Sequence, residues 1–220
     1  VEEKVGTCIT HAWRGSMITP SIVDTIEKLH AGALRIEPFT TEGVRPSPGE
    51  QKYEEPEGYF RLPQTHFEPG YPAPNITADE YARRLNRLKE IAMNRPSGVP
   101  LHVTTDFEGD WSHDFPFDGI NIFPASMGIT AGEAPWLAYV VGRYVAWQLS
   151  AIGVNMLHSP VADVNNNPDN PVINIRSYSD DPETAATYAV QNMLGLEEGG
   201  LISVAKHFPG HGDTAVDSHL

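Results

Sequence analysis

The fourteen residues KHFPGHGDTAVDSH, running from Lys206 to His219, hold three histidines, two aspartates and a lysine. Such groups can move protons near neutral pH, bind a metal ion or activate a nucleophile, and spacing discriminates among these. His207 and His211 stand four apart, which on a helix would pair them on a metal. Pro209 and Gly210 lie between them, so that helical face does not exist. A zinc site built from His207, His211 and His219 stays open on residue types alone. A nucleophile triad through Ser218 lacks the elbow sequence that such a serine needs. The most economical reading is Asp217-Ser218-His219. On an irregular loop an aspartate two residues before a histidine can fold back onto the imidazole, raise its basicity and fix its tautomer. The product is a general acid/base that works near neutrality. The bland alternative is a polar loop that caps a helix.

The composition excludes several partner classes. The 220 residues carry a formal net charge of −14 and no run of Lys or Arg, so nucleic acid and anionic membrane surfaces are not expected partners. No apolar run reaches the roughly 18 residues of a membrane span. Cys8 is the only cysteine, which rules out an internal disulfide and leaves the redox compartment open. The opening VEEKVGTCIT shows no basic segment followed by an apolar one, so no signal peptide is visible; the cytoplasm is the expected compartment unless a leader has been removed. The oligomeric state is not readable.

The elements that must position the polar cluster alternate between helix and strand. A helix is predicted from the cap Thr19, through Pro20, to Gly32, with Ile22, Ile26 and Leu29 on one face. A short strand, ALRIEPF, follows. The capping box Thr77…Glu80 opens a second helix with Tyr81, Leu85, Leu88 and Ala92 on one face, broken at Pro96. Thr77 as cap also explains the formal glycosylation sequon at Asn75. VPLHVTTDFEG is the next strand, and EAPWLAYVVGRYVAWQLSAIG the next helix. VNMLHSPVADV, then a helix capped by Asp181 with Pro182 at its first position, then LISVAKHF complete the series. Alternation of this kind predicts an α/β fold with parallel strands. Four strand ends turn polar in the C-terminal direction, at Glu37, at Asp106, at Asp163 to Asn165, and at Lys206-His207. A (β/α) barrel gathers its site there. An open doubly wound sheet would too, but no glycine-rich phosphate loop follows any strand. Residues 38–76 form a long insertion rich in Pro, Gly, Glu and aromatics, either a cover over the strand ends that stacks rings on a sugar or a surface excursion packed on itself.

These residues resemble glycoside hydrolase family 3, in its β-N-acetylglucosaminidase branch. AKHFPGHGDTAVDSH is similar to the family signature. GVNMLHSPVADVNNNPDNPVINIRSYSDDPE is similar to its strand-loop-helix segment, and TTDFEG to its Asp-x-Glu-Gly strand end. The likeness covers residues 99–220 well and the opening EEKVG weakly. It implies a TIM-type (β/α)8 barrel, of which this chain would be the N-terminal portion with about five β/α units. It implies retaining hydrolysis of β-linked N-acetylglucosamine or a related hexosaminide. His219 matches the acid/base and Asp217 its dyad partner, while Asp106, Arg176, Lys206 and His207 match residues that bind the sugar. A carbohydrate substrate is the expected partner, and no metal or organic cofactor is implied. After TTDFEG the family usually continues with a second Gly and then a sugar-binding Arg; this chain reads GDWSHDFPF. A retaining mechanism also needs a nucleophilic carboxylate about 5 Å from the leaving bond. The family supplies that aspartate on a later strand, and no aspartate here matches it. Rival readings are a β-glucosidase or β-xylosidase, a phosphorylase of the same family, or a non-catalytic carbohydrate-binding barrel.

Overall fold

A computed structural model describes residues 1–14, 18–37, 77–109 and 119–218 of the chain. The long insertion at 38–76 and the histidine at position 219 lie outside these described residues. The chain divides into two compact units: Val1–Thr105 with Phe115–Asn121 and Ile152–Val154, and Asp106–Asp114 with Ile122–Ala151 and Asn155–Leu220.

In the first unit the elements run α1 (Glu2–Gly6), β1 (Thr10–Arg14), α2 (Pro20–Glu27), β2 (Ala33–Glu37), α3 (Ala78–Met93) and β3 (His102–Thr105). The strands are parallel with β2 in the middle, Thr10 facing Ala33 and Leu34 facing Val103. Parallel neighbours require crossovers, and α2 and α3 supply them. Both start as their sequences dictate. The Thr19 side chain accepts from the Ile22 peptide N–H at 3.4 Å, and Thr77 accepts from that of Glu80 at 3.2 Å. The α3 face of Tyr81, Leu85, Leu88 and Ala92 is wholly buried, against a core that includes Ile26, Leu34, Ile36 and Val103. Helix α2 is shorter than the periodicity predicts. It ends at Glu27, and His30 takes φ 57°, so Leu29 leaves the apolar face and is 57% exposed. Strand β1 carries little sequence signal, because its one large apolar residue, Trp13, sits among polar ones. Trp13 is nevertheless buried, stacked on Tyr81 with ring centroids 5.1 Å apart.

The second unit holds α4 (Ser126–Thr130), α5 (Trp136–Ala151), β4 (Met156–Leu157), α6 (Pro182–Glu198) and β5 (Ile202–Ser203). Helices α5 and α6 pack closely because glycines meet the facing backbone. A Cβ on Gly195 would come within 2.1 Å of the Tyr139 carbonyl oxygen, and one on Gly142 within 2.5 Å of that of Asn192. Asp181 caps α6 by accepting from the Thr184 peptide N–H at 2.8 Å. β4 and β5 are parallel and short, and their pairing continues through the Val161–Lys206 bridge. There the Lys206 N–H donates to the Pro160 carbonyl at 3.0 Å and the Ala162 N–H to that of Lys206 at 2.6 Å. The backbone of Lys206 is thus fixed as a strand end. No helix among the described residues is long and apolar enough to cross a membrane.

One side chain secures the return from α3 into β3. Arg95 is buried and donates to three carbonyls, those of Ala92 (2.9 Å), Ala31 (2.7 Å) and Val99 (2.9 Å). Replacing it with Met keeps the volume but takes the side-chain donor from the Ala31 and Val99 carbonyls, while that of Ala92 still accepts from the Arg95 peptide N–H at 3.2 Å. Each buried unsatisfied group costs about 1–3 kcal/mol. Arg95→Met should therefore lower the stability of the chain by roughly 2–4 kcal/mol in a urea titration at unchanged slope. An unchanged midpoint would show that these bonds hold nothing.

Candidate active site

Site chemistry in the second unit starts with Glu108. Its side chain is 1% exposed, and an ionised carboxylate there needs cationic partners. Arg176 provides a fork, Nε to Oε2 at 2.6 Å and Nη2 to Oε1 at 3.1 Å. Lys206 makes a very close ion pair with the same carboxylate. The Lys206 ammonium also donates to Asp106 Oδ1 at 2.6 Å. Asp106, Glu108, Arg176 and Lys206 thus form one network of two carboxylates and two cations. Burial alone would raise the Glu108 pKa. The Arg176 hydrogen bond and the Lys206 and Arg176 charges outweigh it and hold the carboxyl below its ordinary value.

Arg176 reaches Glu108 from a 3₁₀ turn, Asn174–Arg176, whose shape depends on Asn170. Asn170 is 2% exposed, and all of its side-chain polar capacity is used. Its Oδ1 accepts from the Val172 and Ile173 peptide N–H groups at 2.9 and 2.7 Å. Its Nδ2 donates to the His211 carbonyl at 2.6 Å and to Thr214 Oγ1 at 3.4 Å. One buried amide therefore ties the segment that carries Arg176 to the segment that carries the histidines.

Asp163 is the second buried carboxylate. Its Oδ2 accepts from the His207 peptide N–H at 3.1 Å and lies 2.6 Å from His207 Nδ1, while Oδ1 accepts from the His211 peptide N–H at 2.6 Å. A carboxylate only accepts, so Nδ1 of His207 carries a proton and donates it to Asp163. Burial would raise the Asp163 pKa, but the His207 and His211 hydrogen bonds and the His207 charge outweigh it and lower it. With its side chain wholly buried and both oxygens committed, Asp163 is no nucleophile. It orients the ring of His207.

The sequence-predicted residues fall into place unevenly. Asp106, Lys206 and Arg176 meet through Glu108, and His207 follows Lys206 directly. Asp217 is half-buried, in the same unit, and His219 lies outside the described residues. His211 has both ring nitrogens engaged, Nδ1 with Thr214 Oγ1 at 2.6 Å and Nε2 with Ser218 Oγ at 2.9 Å. Among the described residues no group of His, Cys, Asp or Glu side chains has the arrangement of a metal site. Sequence reasoning missed Glu108 and the orienting role of Asp163. The signal for the first was the glutamate inside TTDFEG; for the second, the polar end of the strand at Asp163.

Depressed carboxyl pKa values link the site to acid stability. Glu108 and Asp163 contribute fully above their unfolded values, about 4.3 and 3.9, and the contribution disappears as pH falls through the lower folded values. The chain should lose stability steeply below about pH 4. Asp163→Asn should be less stable at neutral pH and show a shallower acid limb in urea titrations run across this range. An acid limb of unchanged slope would remove Asp163 as a contributor.

Residues 68–220 match the glycosyl hydrolase family 3 N-terminal domain. The chain is 36% identical over 137 residues to beta-hexosaminidase A of Pseudoalteromonas piscicida, covering 61% of this chain and 23% of that protein. It is 44% identical over 150 residues to a beta-hexosaminidase of Neisseria meningitidis serogroup C, covering 63% of this chain and 40% of that protein. The solved structure of a glycoside hydrolase family 3 beta-N-acetylglucosaminidase from Paenibacillus sp. str. FPU-7 matches with a TM-score of 0.77 at 27% identity, covering 100% of this chain and 35% of that one. The chain spans less than half the length of each of these relatives. Its parallel α/β units are consistent with part of the family's TIM-type barrel. The chain belongs to glycosyl hydrolase family 3, and most of it is the N-terminal domain of that family.

Proposed function

We propose that the protein carrying this chain is a retaining β-N-acetylhexosaminidase, cleaving β-linked N-acetylglucosamine or a related hexosaminide. One observation carries the reading. Glu108 ties Asp106, Lys206 and Arg176 into one ion network next to the Asp163-oriented His207, and four of these residues, Asp106, Arg176, Lys206 and His207, are the ones that the family resemblance singles out. Two relatives are named beta-hexosaminidase, which supports the same sugar.

In this reading each group has a physical task. Lys206 and Arg176 donate hydrogen bonds to sugar hydroxyls, and Asp106 accepts from one. Glu108 neutralises the two cations, so that they are presented as directed donors rather than as bare charge. His207 presents Nε2 to a further hydroxyl. Asp217 and His219 form the acid/base pair, His219 protonating the leaving oxygen and then taking a proton from the attacking water. The nucleophilic aspartate belongs to the longer protein, outside the described residues. Residues 1–220 would be the N-terminal portion of one catalytic barrel that carries a long insertion in its sequence at 38–76.

A general acid matters most when the leaving group is poor, and its assistance is typically worth about 10²–10⁴-fold. In the full-length protein, His219→Ala should therefore cost far more kcat/KM on a natural disaccharide than on an aryl glycoside with an acidic phenol. Asp217→Asn should show the same pattern less severely. Equal losses on both leaving groups would remove His219 as the acid. A raised KM with kcat intact would make it a binding residue instead. Turnover that depends on added phosphate would reassign the protein as a phosphorylase.

A further inference from the structure

The stretch NNNPDNPVINIR, Asn165 to Arg176, is dense in asparagine, and none of the steps above uses those side chains. An amide carries an acceptor and a donor on one rigid plane, so it can hold two backbone segments at once. Asn170 does this in the protein interior, where it is 2% exposed. Its Oδ1 takes the Val172 and Ile173 peptide N–H groups, and its Nδ2 donates to the His211 carbonyl at 2.6 Å. Asn167 repeats the arrangement. Its Oδ1 accepts from the Asp169 peptide N–H at 2.9 Å, and its Nδ2 donates to the Asp213 carbonyl at 3.2 Å. Peptide N–H groups only donate and carbonyls only accept, so the orientation of both amides is forced.

The acceptor halves shape the turn that carries Arg176. Val172, held by Asn170, offers its own carbonyl to Arg176 Nη1 at 3.3 Å. Asn174 takes φ 43°, a left-handed value that asparagine tolerates better than most residues, and donates from Nδ2 to the Asn170 carbonyl at 3.0 Å. Its peptide N–H goes to Asn165 Oδ1 at 3.2 Å. The donor halves reach out of this turn, to two carbonyls in the loop that continues from Lys206 and His207. His211 lies 41 residues along the chain from Asn170. Two amides thus join the segment of Arg176 to the segment of Lys206 and His207.

We propose that Asn170 and Asn167 are positioning residues, whose side-chain donors fix the Arg176 turn against the 206–214 loop and so keep the two halves of the sugar site in register. The consequence for the sugar rests on the hexosaminidase reading; the tie between the segments does not. Asn170→Asp and Asn167→Asp in the full-length protein test both. Aspartate keeps the size and the acceptor half, but loses the donor and turns an oxygen towards the carbonyl it faced. A residue that only shaped its own turn would tolerate that exchange, since Asp and Asn cap such turns alike. Hydrogen exchange reads the tie. Each variant should raise exchange over residues 211–214 by about fivefold or more. In Asn170→Asp the Val172 and Ile173 amides should stay within about twofold of the parent. Calorimetry and kinetics read the consequence. The dissociation constant of N-acetylglucosamine, and KM on an aryl β-N-acetylglucosaminide, should rise about tenfold in Asn170→Asp and less in Asn167→Asp, with kcat within about twofold, the pattern of a change that touches binding alone. Unchanged exchange over 211–214 in both variants would overturn the tie. A loosened loop with unchanged dissociation constant and KM would overturn the positioning role, and so would a fall in kcat at constant KM. If Asn170→Asp does not fold, Asn167→Asp decides, because Asn167 is only half-buried. A parent protein that neither binds N-acetylglucosamine nor cleaves the glycoside would end the hexosaminidase reading, and exchange would still decide the tie.

Discussion

Glu108 carries a full negative charge into a place where water does not reach it, and the arrangement of the site follows from that. An ionised carboxylate in a protein interior costs several kcal/mol unless cations and hydrogen-bond donors surround it. Arg176 answers with a fork to both oxygens, and Lys206 pairs with the same group while bonding to Asp106. Two long, flexible side chains that would otherwise sample many rotamers are held in one geometry. For the sugar site proposed above, donors to hydroxyls must be fixed in direction, and a buried counter-charge would provide this without occupying the ligand's space.

A second carboxylate works on a different part of the same unit. Asp163 bonds the peptide N–H groups of His207 and His211 and the ring of His207, so that it sets backbone path and tautomer together. Ser177, itself buried, donates to the Asp163 carbonyl at 2.6 Å and so joins this strand end to the segment just after Arg176. Asn170 closes the circuit between the Arg176 turn and the His211 loop. The loops that bear chemistry are irregular, and buried polar side chains replace the hydrogen bonds that a regular element would have supplied.

Much of this was legible in the sequence, for identifiable reasons. Thr19, Thr77 and Asp181 announce helix starts because capping is local, and each makes the expected bond. The buried stripe of α3 follows from the helical period. Leu29 shows where periodicity fails: the pattern continues past Glu27, but the helix does not. Strand β1 was missed because Trp13 finds its partner in Tyr81, far along the chain. Residue types at the site were readable, since the Asp-x-Glu-Gly and Lys-His motifs name them. The roles of Glu108 and Asp163 were not. Nothing local distinguishes a carboxylate that meets substrate from one that holds those that do, and Arg176 lies 68 residues from Glu108.

The central claim is that buried Glu108, without meeting the sugar, sets the donors that bind it. Calorimetric titration of the full-length protein with N-acetylglucosamine, parent against Glu108→Gln, tests this most directly. The substitution keeps size and shape but removes the charge that pairs with Lys206 and Arg176. The account predicts a dissociation constant at least about tenfold weaker, equivalent to ~1.4 kcal/mol, in a variant that still unfolds in one cooperative transition. An unchanged dissociation constant in a folded Glu108→Gln protein would contradict it.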